Sequence, residues 1–228
     1  AVSEVLRLVI HSLYSNKGIF LRGLVSNASD AIDKLKFRAI AEPGLVASDE
    51  VPTIRLSADP EKRTLTLSDD GVGMTEAELV KNLGTVAHSG SSEFLKQLEA
   101  AKKGDVSLIG QFGVGFYSAY LVADRVDVRS RAAGSDEAFL WSSSGQDTFT
   151  VEPTTRASRG TDVVLHLKEE HGEFLTEHRL RELVRRYSDF VAHPIELEVT
   201  RTEGSGDEAK TEKRWERVNT SNALWRRT

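Results

Sequence analysis

The chain has 228 residues, 39% of them hydrophobic, with a net charge of −5 and an isoelectric point near 5.8. That suits one large or two small globular domains with a sizeable core, and argues against a broad non-specific nucleic-acid surface. It has no cysteine, which removes a disulfide framework and a thiolate metal site and fits a reducing, cytoplasmic setting.

In chain order, Val2, Val5, Leu6, Val9, Ile10 and Leu13 give a first amphipathic helix. Glu4, Arg7 and His11 interrupt it, so it reads as neither signal peptide nor membrane span. A second helix is predicted over residues 19–38, with Phe20, Leu21, Leu24, Ala28, Ala31, Ile32 and Leu35 on its apolar face. Ile54 and Leu56, then Leu65 and Leu67, alternate with polar residues around a turn at residues 59–62 and predict a β-hairpin. Thr75 and Glu78 form a capping box for a helix through Leu79 and Leu83. A glycine- and serine-rich loop follows, over residues 82–92, and then three glycines ahead of an apolar helix within residues 109–122. Strands are predicted at 125–130, 139–142, 148–152 and 161–168, an amphipathic helix through Leu180, Leu183, Val184 and Tyr187, and a last strand at 195–200. Helices and mostly antiparallel strands without a βαβ rhythm predict an α+β sandwich with helices over one mixed sheet. Residues 1–200 read as one domain, and the Glu-, Lys- and Gly-rich residues 201–217 as a charged linker or hairpin tip.

Four stretches carry chemistry. Gly23, Asn27, Asp30 and Lys34 recur one turn apart and form a polar stripe on an otherwise ordinary helix. An amide carbonyl at Asn27, steadied by a nearby carboxylate, suits a hard cation such as Mg²⁺; taken alone, the stripe reads as solvated surface. Asp69 ends a strand ahead of Gly71 and Gly73, where the backbone lets a ligand approach and a buried carboxylate can accept from an exocyclic amino group. The same residues also suit a tight turn. The backbone N–H groups of Gly113, Val114, Gly115 and Phe116 precede a helix and suit phosphate oxygens. The loop over 82–92 has the small residues of a lid. A G-x-x-x-x-G-K-[ST] phosphate loop is absent, so a nucleotide must be held in another way.

In this order and spacing, SNASDAIDKL, DDGVGM, NLGTVAHSGS, IGQFGVGFYS and RGTDVVLHLK resemble the nucleotide-binding domain of the heat shock protein 90 chaperones, most closely the bacterial form. The resemblance covers essentially the whole chain. It implies a Bergerat-type (GHKL) ATP-binding fold, shared with gyrase B, MutL and histidine kinases, and a chaperone whose ATP binding and hydrolysis drive a conformational cycle for folding clients.

Carried over residue by residue, the resemblance makes Asn27 the Mg²⁺ ligand, also touching phosphate oxygens, and Asp69 the acceptor for the adenine amino group. Asp30 and Lys34 line the pocket beside them. Gly73 and Met74 line the adenine and ribose site, with Asn82, Leu83 and Phe116 around it. Gly113, Val114, Gly115 and Phe116 contact phosphate, and Thr161 bonds near the base through water. ATP or ADP with Mg²⁺ are the implied cofactors. The implied partners are client proteins and a second protomer in the full-length homodimer, with no nucleic acid and no membrane. His88 stands in the lid where members often carry lysine.

Gly23 departs from the pattern, because members carry glutamate there to activate the attacking water. Glycine cannot accept a proton, and losing a general base typically costs about 10²–10⁴ in rate. No catalytic residue is therefore assigned, and a nucleotide-binding module without turnover is the alternative. Gly18 is a second place where the family usually has glutamate. Residues 201–228 would hold the linker and, in ALWRR, the opening of a middle domain.

Overall fold

The computed structural model describes residues 17–87, 116, 118–145 and 148–220. The helix expected over residues 2–13 and the ALWRR stretch lie outside them. Helix α1 spans Ile19–Ala41 and buries Phe20, Leu21, Leu24, Val25, Ala28, Ile32 and Leu35, the spacing that puts one stripe against a core. It stops where Pro43 follows the Glu42 cap, since proline disfavours helical backbone in the residue before it. Strands β1 (Ile54–Asp59) and β2 (Thr64–Asp69) pair antiparallel, and the Asp59 carboxylate closes their turn by accepting from the N–H groups of Glu61 and Lys62 at 3.1 Å. Helix α2 (Glu76–Ala87) starts at the expected capping box, Thr75 and Glu78 each bonding the other's N–H at 3.2 Å. The loop expected from residue 82 thus begins as helix, and beyond Ala87 it lies outside the described residues.

Next come β3 (Ala123–Arg131), β4 (Ala138–Ser143), β5 (Thr150–Thr154) and β6 (Gly160–Leu167), then α3 (Glu177–Tyr187), β7 (Ile195–Glu203) and β8 (Lys210–Arg217). Among the described residues the sheet has eight strands in the order β5-β4-β3-β6-β2-β1-β7-β8, and only the β1–β7 pair is parallel. This is the expected α+β arrangement. One consequence of the register is central. Trp141, Val128, Val163, Leu67, Leu56 and Leu197 stand side by side across six strands, all in the core that also takes Phe20 of α1, Leu79 of α2 and Leu180 of α3. Facing residues in neighbouring strands point to the same side of a sheet. The row two residues along is therefore on the core side too, and it reads Ser130, Thr161, Asp69, Ile54.

Of the two readings of residues 201–217, the hairpin is the one the structure takes: β7 runs on to Glu203, Gly204 (φ +91°) and Gly206 (φ +65°) turn the chain, and β8 pairs back along β7 from Lys210 to Arg217. β8 is an edge strand, and the charged residues that mimic a linker are those that guard exposed edges. They are also tied down. Arg201 bonds Glu177 of α3 at 2.7 Å and Glu216 at 3.1 Å, and Arg181 bonds both carboxylates.

Beside the start of α1, Phe20 meets Phe174 edge-on with ring centroids 5.0 Å apart, both rings fully buried. Replacing Phe174 with alanine should lower stability by about 3–5 kcal/mol in urea unfolding. A loss below about 1 kcal/mol would place that ring outside the cooperative core.

Candidate functional site

The chemistry gathers where β2 ends. Asp69 is 4% exposed, and its Oδ1 accepts from the Gly71 N–H at 2.8 Å. Among the described residues Oδ2 takes no hydrogen bond. Burial pushes this carboxyl up to about 7, opposed by the Gly71 N–H and by the Arg156 guanidinium. A buried carboxylate with an uncommitted oxygen is costly unless something arrives to bond it.

The turn after Asp69 is pressed onto α1. A Cβ on Gly71 would come within 2.6 Å of the Ala31 Cβ, and Val72 donates to the Ala31 carbonyl at 3.0 Å. Gly73 has φ +65°, and a Cβ there would lie 2.0 Å from the Arg131 carbonyl, so only glycine fits this crossing. Val72 accepts from Ala133 at 2.8 Å, and Met74 donates to the Ser130 hydroxyl at 2.8 Å. These bonds bring the Asp69 loop, β3 and α1 to one place, with Asn27 half-buried one turn before Ala31.

Thr161 faces Asp69 across the β2–β6 pair, is 6% exposed and shares a 2.7 Å hydrogen bond with Ser130. Asn82 reaches towards Met74, its Nδ2 lying 3.9 Å from the sulfur. Leu83 is buried. Phe116 is buried against Trp141 with ring centroids 5.7 Å apart. Asp30 and Lys34 lie on the exposed side of α1; partial desolvation and then Asp33 hold the Asp30 carboxyl above the usual carboxylate range, with Lys34 opposing. Gly113, Val114, Gly115 and His88 lie outside the described residues. Gly23 is half-buried within α1 and is not among the glycines with positive φ, while Gly18 has φ −62°. Neither backbone conformation calls for glycine.

Sequence reasoning missed the brace behind Asp69. Arg156 donates to the Asp69 carbonyl at 3.3 Å and pairs with Asp162 at 3.0 Å. Arg159 donates to the carbonyls of Asp70 (3.2 Å) and Leu45 (2.9 Å) and pairs with Glu50. Asp70 in turn accepts from Thr53 N–H at 3.0 Å and pairs with Arg55. Ser130 was missed too, though the alternation Val126, Val128, Ser130 puts a hydroxyl at an inward position, a signal open to a strand-by-strand reading.

Residues 19–170 match the family model described as histidine kinase-, DNA gyrase B-, and HSP90-like ATPase. The chain is 60% identical over 231 residues to the chaperone protein HtpG of Myxococcus xanthus, 54% over 227 to that of Bordetella avium and 50% over 228 to that of Vibrio vulnificus. These alignments take in 99–100% of this chain and 35–36% of each relative. The chain thus spans about a third of the length of the curated relatives it matches.

The Asp69 carboxyl titrates with a definite sign. Folding raises its pKa from 3.8 to about 7, so between those values the folded state holds a proton that the unfolded state has lost, and stability falls as pH rises through that window. Asp69→Asn should therefore make the ligand-free chain roughly 1–4 kcal/mol more stable than wild type at pH 8 and of similar stability at pH 4. Chemical unfolding at the two pH values checks this, and equal or lower stability of the variant at pH 8 would contradict it.

Proposed function

The chain belongs to the histidine kinase-, DNA gyrase B- and HSP90-like ATPases, and from that premise we propose that it is the ATP-binding domain of an HtpG-type molecular chaperone. The observation that carries this reading is the buried Asp69, with one oxygen held by Gly71 and the other without a hydrogen bond among the described residues. An ionised carboxylate is an acceptor only, so the free oxygen suits the exocyclic amino group of adenine. Gly73 and Met74 border the base and ribose, with Asn82, Leu83 and Phe116 around them and Thr161 bonding near the base through water. Asn27 would hold Mg²⁺ and meet phosphate oxygens, with Asp30 and Lys34 beside it, and the N–H groups of Gly113, Val114, Gly115 and Phe116 would serve the phosphates. Among the described residues no three His, Asp or Glu side chains cluster as a metal site. A Mg²⁺ bound beside Asn27 would need few protein ligands, since this ion commonly keeps several waters and takes phosphate oxygens. When bound, it neutralises phosphate charge.

In the whole protein, nucleotide binding would switch a cytoplasmic homodimer that acts on unfolded clients. The net charge of −5 disfavours a DNA-dependent role, and no helix among the described residues is long and apolar enough to cross a membrane.

Hydrolysis is the weak step. Gly23 stands one turn before Asn27 with no side chain to take a proton from water, while the pocket around Asp69 does not depend on it. A second reading follows from the same residue: a module that binds and releases nucleotide without turnover. The two separate on steady-state ATP turnover of the full-length protein with Gly23 and with Gly23→Glu. The expected result is a rise of about 10²–10⁴ on introducing glutamate with ADP affinity little changed. Equal turnover in the two proteins would clear Gly23 of the defect.

A further inference from the structure

The Arg156 guanidinium makes five hydrogen bonds among the described residues. Its Nε and Nη2 reach the two oxygens of Asp162, at 3.2 and 3.0 Å. Nη1 donates to the carbonyls of Ser158 (2.7 Å) and Arg159 (2.6 Å), and Nη2 also donates to that of Asp69 at 3.3 Å. The side chain is only 11% exposed. Asp162 follows the core-facing Thr161 in β6, so its carboxylate stands on the other face of the sheet. The fork therefore closes on the Asp69 backbone from outside, while the Asp69 carboxyl lies within. Gly160 makes room for this meeting: it has φ +125°, and a Cβ there would lie 2.0 Å from the Asp69 carbonyl oxygen and 3.0 Å from Arg156 Nη1. A fixed cation one hydrogen bond from the residue that carries the acceptor carboxyl acts on it through the protein, where charges are felt more strongly than in water.

The other charges on the surrounding elements are engaged elsewhere. Arg159 pairs with Glu50, and Asp70 with Arg55 of β1. Arg131 of β3 donates to the carbonyls of Ser135, Arg156 and Ala157, and Asp30 and Lys34 lie on the exposed side of α1. Of the charges that bear on the Asp69 carboxyl, Arg156 favours its ionised form, while Asp70 and Asp162 oppose it. We propose that the Arg156–Asp162 pair sets the pH range in which the site takes adenine, Arg156 acting as a positioning residue through Asp69. The proposal rests on the adenine-site reading above. Protonation costs the Asp69 carboxyl its charge and part of its capacity to accept, so binding weakens below the pH at which it ionises. The two halves of the pair act with opposite signs. Removing the cation makes Asp69 harder to ionise; removing the anion, with Arg156 still held by three carbonyls, makes it easier.

The test is calorimetric titration of the chain with ADP and Mg²⁺ between pH 6 and pH 9, in wild type, Arg156→Gln and Asp162→Asn. The protonation of ADP itself is common to all three and drops out of the comparison. Wild-type affinity should rise with pH and level off above about 7, where Asp69 ionises. Arg156→Gln should move that midpoint up by about one pH unit, so that at pH 6 ADP binds about 10-fold more weakly than to wild type once both are scaled to pH 9. Asp162→Asn should move it down by about half a pH unit, about 3-fold tighter at pH 6 on the same scale. Thermal melting shows whether each variant is folded, and if one is not, the shift in the other decides. A merely structural brace would weaken ADP alike at every pH and leave both midpoints at the wild-type value. That result, or shifts of the same sign in the two variants, overturns the proposal. A wild-type chain that binds no ADP, or binds it with the pH profile of Asp69→Asn, overturns the adenine reading itself, and this proposal with it.

Discussion

A carboxylate at Asp69 sits on the core side of the sheet, in register with Ser130 and Thr161, where the neighbouring row is Leu67, Val163 and Val128. Everything around it holds that charge in place. The Gly71 N–H takes one oxygen, Arg156 grips the carbonyl of the same residue, and Arg159 grips the next. Two glycines let the chain fold tightly against Ala31 and Arg131. The arrangement costs stability in the ligand-free chain, since a buried group pushed up to about 7 would be easier to fold as an amide. Such a cost is retained where function needs the charge, which is the usual balance between stability and activity at a site.

Ser130 bonds Met74, Gly160 and Thr161, so the row is held in place before any ligand arrives. Preorganised acceptors lose little on binding, as their orientation has already been settled in folding. The brace runs outwards from there: Asp162 holds Arg156, Glu50 and the Leu45 carbonyl hold Arg159, and Arg55 holds Asp70. The segment after α1 is thereby tied to the same loop that presents the carboxylate.

Much of this was legible in the sequence. The hairpin of β1 and β2, the Thr75–Glu78 capping box, the strands from 123 to 167 and helix α3 declared themselves by period and punctuation, because alternation and capping are local properties. Asp69, Gly73 and Thr161 were legible as candidates through motif order, and the fold brings Asp69, Gly73 and Met74 into one loop beside Thr161. What failed was non-local or compositional. β8 reads equally as linker or hairpin because an edge strand and a solvated linker share a taste for Lys, Glu and Arg, and only pairing with β7 tells them apart. The arginine brace is invisible to periodicity, since Arg156 and Arg159 act on carbonyls about 90 residues away. Ser130 showed its inward place through the alternation Val126, Val128, Ser130, but its partners Met74, Gly160 and Thr161 come from elsewhere in the chain. Gly23 stood out as a departure only against a family pattern, and nothing in its helical backbone explains a glycine there.

The account turns on the uncommitted oxygen of Asp69 being the place where a purine amino group lands. A crystal structure of the chain grown with ADP and Mg²⁺ at pH 8 tests this most directly. The account predicts the adenine amino nitrogen about 3 Å from the Asp69 carboxylate, with Thr161 or a water bonded to it alongside. A structure in which that oxygen is covered by a protein donor, with ADP bound elsewhere or not at all, would contradict it.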